Sequence, residues 1–79
     1  MNNREKYVNA FVEALEIEPG KVVEGLKYQA IPEWDSVGHM GLIAALEDAF
    51  DIMMDTDDII DFDSFEKGIE LLKKYGVEI

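Results

Sequence analysis

Along most of the chain apolar residues return at steps of three and four, the period of an amphipathic helix. Asn2 and Glu5 stand at capping-box spacing, and Tyr7, Val8, Phe11, Val12 and Leu15 then trace one face of a first helix. Pro19-Gly20 is expected to stop it. Residues 19–34 read as a long connection with apolar anchors of its own, namely Val22, Val23, Leu26, Tyr28 and Ile31. A loop of about 16 residues is unusual in a small domain unless it is packed down or functional. The anchors predict that it lies over a helix pair.

Pro32 excludes helix just before it, and Asp35-Ser36 offers a cap for a second helix running through about Phe50. Leu42, Ile43, Leu46, Ala49 and Phe50 supply its core face. Asp55-Thr56 opens a short third helix bearing Ile59 and Ile60, with Asp58 in its favourable first turn. Asp63 and Glu66 form another cap-like pair before a last helix with Phe65, Ile69, Leu71 and Leu72. Lys73-Lys74 fall in its final turn and Gly76 just beyond, as a helix C-terminus prefers. Only the brief Val77-Glu78-Ile79 tail hints at a strand. The expected fold is all-α, a small four-helix bundle with three longer helices, one short helix and a long loop between helices one and two. Residues 1–79 read as a single domain.

Composition narrows the chemistry. The 79 residues carry 7 Lys+Arg and 18 Asp+Glu, a formal net charge of −11. From Asp35 through Glu66 every formally charged side chain is an acid. Such a surface repels phosphate backbones and draws basic protein patches, so no nucleic-acid partner is expected. Self-repulsion also predicts marginal stability at low salt. The absence of cysteine removes disulfides, thiolate zinc sites and any thiol nucleophile supplied by the protein. No apolar run reaches the length of a membrane span, and the polar start Met1-Asn2-Asn3-Arg4-Glu5 lacks a signal-peptide core. A cytoplasmic monomer with no membrane partner is the expectation.

Catalytic and metal patterns are weak. Asp35, Ser36 and His39 invite a hydrolytic triad, but Asp35 would have to orient the far ring nitrogen while His39 reaches back to Ser36. There is no Gly-x-Ser-x-Gly elbow. His39 therefore reads as a surface histidine on the first turn of helix two, and no catalytic residue is assigned. The acids after Asp51 suggest calcium, yet an EF-hand frame from Asp55 puts Ile59 and Ile60 where a ligand and the turn glycine belong. A frame from Asp61 puts Leu72 where the bidentate glutamate belongs. No metal ligand set is assigned.

Ser36 alone reads as an ordinary cap. Its surroundings read differently: Ile31-Pro32-Glu33-Trp34-Asp35-Ser36-Val37-Gly38-His39-Met40, then Leu42-Ile43-Ala44-Ala45-Leu46-Glu47-Asp48-Ala49-Phe50-Asp51-Ile52. This resembles the acyl carrier protein family, whose signature is Asp-Ser-Leu at the start of the second helix. The likeness extends over nearly the whole chain in helix order, the long anchored loop and overall acidity. It implies that Ser36, preceded by Asp35, carries 4'-phosphopantetheine attached from coenzyme A by a phosphopantetheinyl transferase. The arm's thiol would hold acyl or aminoacyl groups as thioesters for partner enzymes of fatty-acid, polyketide or other specialised biosynthesis, and the protein itself would do no chemistry. The resemblance further implies docking of helix two onto basic enzyme patches. Val37, Met40 and Ala44 form the apolar strip, and Glu47, Asp48 and Asp51 its charged end; core packing and a solvated acidic face are the plain alternatives.

The sequence departs from the common fatty-acid pattern at several positions. Val37 replaces the usual leucine, and Gly38 and Gly41 stand where acids are often found. Each helix-interior glycine costs about 1 kcal/mol against alanine, which points to close backbone approach or to drift. Trp34 beside the attachment position either packs the loop or lines the path of the arm. These features look more like stand-alone carriers of specialised pathways. The competing reading is an unmodified acidic helical interaction module with the carrier fold, in which Ser36 is only a cap.

Overall fold

The computed structural model describes residues 2–79. Four helices appear in the expected order: α1 (Asn3–Leu15), α2 (Ser36–Phe50), α3 (Thr56–Asp61) and α4 (Phe65–Lys73). Among the described residues there is no strand, and no helix is long and apolar enough to cross a membrane.

The Asn2 side chain accepts from the Glu5 N–H at 2.8 Å, as its spacing predicted. α1 buries Tyr7, Ala10, Phe11 and Leu15, while Val8 and Val12 are half-buried on its flank. The helix ends at Leu15, ahead of Pro19-Gly20. Glu16 turns left-handed (φ 54°), and the Ile17 N–H reaches back to the Val12 carbonyl at 3.3 Å. That closure lets Ile17 enter the core, so burial stops the helix before proline can. α2 ends the same way, with Asp51 left-handed (φ 53°) and the Ile52 N–H on the Glu47 carbonyl. Pro19–Lys21 forms a 3₁₀ turn within the connection.

The long loop is packed down. Val22 and Leu26 are buried and Tyr28 and Ile31 half-buried, but Val23, read as an anchor, is exposed. The loop's backbone pairs with the start of α4: Phe65 N–H donates to Leu26 O, Tyr28 N–H to Asp63 O, and Gly25 N–H to the Glu66 carboxylate at 3.0 Å. These bonds satisfy polar groups that a packed loop cannot leave bare. They also move the cap of α4 one residue from its expected place. Asp63 and Glu66 are drawn to the loop, and Ser64 accepts from the Lys67 N–H at 3.0 Å instead. At the C-terminus the Val77 N–H returns to the Leu72 carbonyl, and Val77 buries itself as a helix closure and not as a strand.

Five aromatic rings fill the centre. Tyr7, Phe11, Trp34, Phe62 and Phe65 are all but fully buried, with Phe11 meeting Tyr7 and Trp34 edge-on at 5.1 and 5.3 Å. The Tyr7 hydroxyl donates to the Phe65 carbonyl at 2.6 Å, and burial raises its pKa above the usual phenol range. α4 crosses this cluster at Gly68, where a methyl group would overlap the Tyr7 hydroxyl and the Phe62 ring.

Candidate functional site

Trp34 decides where Ser36 sits. Its indole is fully buried against Phe11 and Phe62, which settles its role as packing for the loop. Two residues later the chain emerges into solvent as α2 begins. Asp35 is the cap: its carboxylate accepts from the Gly38 N–H at 2.8 Å. Ser36 is the first helical residue and exposed, and its hydroxyl takes no hydrogen bond among the described residues. The serine is thus free of the capping duty that the plain reading gave it.

Gly38 explains one of the two helix glycines. A side-chain methyl there would overlap the Glu33 carbonyl and press on Leu15, so the loop can turn into α2 only over a bare Cα. At Gly41 a methyl would meet Ala14 at ordinary contact distance, and nothing in the structure requires glycine.

His39 is not the expected surface residue. Its ring is half-buried among Tyr28, Trp34 and Phe62 at centroid distances of 5.4, 6.2 and 5.9 Å. Nδ1 accepts from the Trp34 indole N–H at 3.0 Å, and Nε2 lies 2.8 Å from the Ile59 carbonyl of α3. Both nitrogens are therefore engaged away from Ser36 and Asp35. Sequence reading named the histidine but had no signal for its second partner, a backbone carbonyl twenty residues away.

A groove of about 300 Å³ opens beside Ser36, walled by His39 and Met40 of α2, Ile59 and Ile60 of α3, and Tyr28 and Asp63. At 100° per residue, Val37, Met40, Ala44, Glu47, Asp48 and Asp51 share roughly 100° of the α2 surface. Val37 and Met40 are 81% and 60% exposed, which answers the alternative of core packing. Ala44, Asp48 and Asp51 are exposed as well. Glu47 is half-buried and accepts from the Met54 N–H at 2.9 Å, so it holds the α2–α3 connection. Ala44 and Asp48 also border a separate groove of about 480 Å³ against α1.

On the far side of α3, Asp58 lies in the first turn as its sequence position predicted, and it is buried. Its carboxylate accepts from Lys74 Nζ at 2.7 Å and from the Tyr75 hydroxyl. These two bonds hold the carboxyl below the usual carboxylate range and push the Lys74 and Tyr75 pKa values up.

No protein-family model, curated protein or solved structure matches the chain. The class that fold and site define is accordingly a small acidic helical bundle presenting a free serine at a helix start, beside a mainly apolar groove.

Proposed function

We propose that the protein is an acyl carrier, with Ser36 bearing 4'-phosphopantetheine derived from coenzyme A. The observation that carries this reading is the exposed Ser36 hydroxyl at the first position of α2, with Asp35 doing the capping. The residues present fit the group. The hydroxyl is open to a transferase, the first backbone N–H groups and the positive end of the α2 dipole favour a phosphodiester there, and the groove offers apolar cover nearby. When attached, the arm supplies the thiol that the chain lacks, and thioester-bound acyl or aminoacyl groups are the cargo. The chain's own contribution is to hold Ser36 at the surface and to present it beside Val37 and Met40.

In the transfer the Ser36 oxygen bonds to the pantetheine-side phosphorus of coenzyme A. The pyrophosphate P–O bond breaks, 3',5'-ADP departs, and the serine proton goes to a base of the transferase. Docking of transferase and acyl-processing enzymes uses the exposed Val37–Met40–Ala44 strip with Asp48 and Asp51, which suits partners with basic patches. Fatty-acid, polyketide or another specialised biosynthesis is the setting of this reading, in the cytoplasm where coenzyme A is at hand.

Intact mass after incubation with coenzyme A, magnesium and a promiscuous phosphopantetheinyl transferase tests it. A gain of one phosphopantetheine that is lost in Ser36→Ala is the expected result. A folded sample that gains nothing from two different transferases overturns it and leaves an unmodified acidic docking module.

A further inference from the structure

The groove beside Ser36 has two exposed apolar lips and a closed floor. Met40 of α2 and Ile60 of α3 form the lips, 60% and 71% exposed, and Ile59 is half-buried between them and the core. The floor is His39, whose ring packs against Tyr28, Trp34 and Phe62. Both of its nitrogens are pinned. Nδ1 accepts from the Trp34 indole N–H at 3.0 Å, which leaves Nε2 to donate to the Ile59 carbonyl at 2.8 Å. The second bond ties α2 to α3 across the base of the groove. We propose that His39 is a specificity-determining residue: it closes the way from this groove to the aromatic centre, and so restricts the cargo on Ser36 to short acyl or aminoacyl groups. The inference rests on the reading of Ser36 as the point of attachment.

An apolar chain held at Ser36 has two places to go, along the lips or past His39. The second route needs the ring to swing aside, which breaks both of its bonds. The Trp34 indole is fully buried, so its N–H would be left without a partner, and the Ile59 carbonyl would lose its donor. Beyond the ring stand Trp34 and Phe62, both packed against Phe11. An interior filled ring against ring admits extra methylenes only by moving side chains off their preferred positions.

The first route is open but brief. A groove of about 300 Å³ accepts a short group between Met40 and Ile60, which removes apolar surface on both lips from water. Carbons beyond its reach stay wet, and each wet methylene forgoes the stabilisation that burial would give. A long fatty chain is therefore carried at a disadvantage that grows with its length. A short acyl or aminoacyl group meets almost none.

The chain has no cysteine, so Ser36→Cys places a single thiol at the attachment position. Straight-chain alkyl methanethiosulfonates, ethyl through dodecyl, couple to it: the thiolate sulfur bonds to the alkyl-bearing sulfur, and methanesulfinate leaves. Two-dimensional NMR and urea unfolding then show where the alkyl group lies, because one tryptophan gives one indole signal. Ethyl and butyl groups should shift the Met40, Ile59 and Ile60 methyl signals. From hexyl to dodecyl the unfolding midpoint should not rise, and the Trp34 indole N–H should stay at its position in the unlabelled protein. His39→Ala, in the Ser36→Cys background, should admit the dodecyl group, moving the indole signal and raising the midpoint above that of the same variant's ethyl form.

A chain that enters the core should raise the folding equilibrium constant about fourfold per buried methylene. Such a rise with His39 in place, together with a displaced indole signal, overturns the proposal. So does a His39→Ala protein in which dodecyl changes neither reading. If that variant fails to fold, the series with His39 in place decides. The alkyl series uses neither coenzyme A nor a transferase. Failure to take up phosphopantetheine would thus overturn the reading of Ser36 alone, whereas entry of the dodecyl group would overturn the closed floor alone.

Discussion

The aromatic centre and α3 are held by opposite kinds of force. Tyr7, Phe11, Trp34, Phe62 and Phe65 are packed ring against ring, with α1, α2 and α4 each adding an apolar face. α3 adds only the half-buried Ile59, and hydrogen bonds at His39 and Asp58 tether it. Non-directional burial changes little with pH, whereas the tether at Asp58 depends on an ionised carboxylate. The difference places close ring packing behind Ser36 and polar tethers in front of it.

The sharpest way to break the contrast is in the centre. Phe11→Ala removes a fully buried ring that touches Tyr7, Trp34, Phe62 and Phe65, and should cost about 3–5 kcal/mol. Against a total stability of order 5–15 kcal/mol, a small domain should lose most of its cooperative transition in a circular dichroism melt. A variant that melts normally would mean the rings are not the mainstay of the fold.

Gly38→Ala comes next and has an informative sign. In an open helix alanine gains about 1 kcal/mol over glycine. Here the methyl must displace the Glu33 carbonyl, so the change should instead destabilise by about 1–3 kcal/mol in urea unfolding. A stabilised variant would show that the entry into α2 is not close-packed.

Asp58→Asn is the mildest globally. A carboxylate whose folded pKa is lowered adds stability above its unfolded value near 3.9, and that contribution is lost as pH falls through the lowered folded value. The native protein should therefore weaken in strong acid, and the asparagine variant should lack that part of the loss. At neutral pH the variant should loosen the α3 amides while global unfolding in urea changes little. A large global loss would place Asp58 in the core's cooperative unit.

Much of this was legible in the residues. Spacing alone located four helices, the Asn2 cap, the Asp35-Ser36 pair at the start of α2 and the acidic α2 face, because period and capping are local properties. Helix ends fared worse. Ile17 and Val77 close their helices by burying themselves, Ile52 closes α2 half-buried, and the cap at Ser64 depends on a loop forty residues upstream in sequence. Val23 looked like its neighbours Val22 and Leu26, yet only the path of the loop could turn it outward.

The same division runs through the site. The sequence by itself determined an all-helical acidic domain and an Asp-Ser pair at a helix start, since these depend on neighbours a few residues apart. Only the tertiary structure decided that Trp34 is buried, that His39 spans from that indole to a carbonyl of α3, and that Asp58 faces a lysine and a tyrosine instead of water. Those are meetings between groups far apart in the chain. A backbone carbonyl carries no residue-specific signature, and an acid in a first turn looks the same whether its partner is the helix dipole or a distant ammonium.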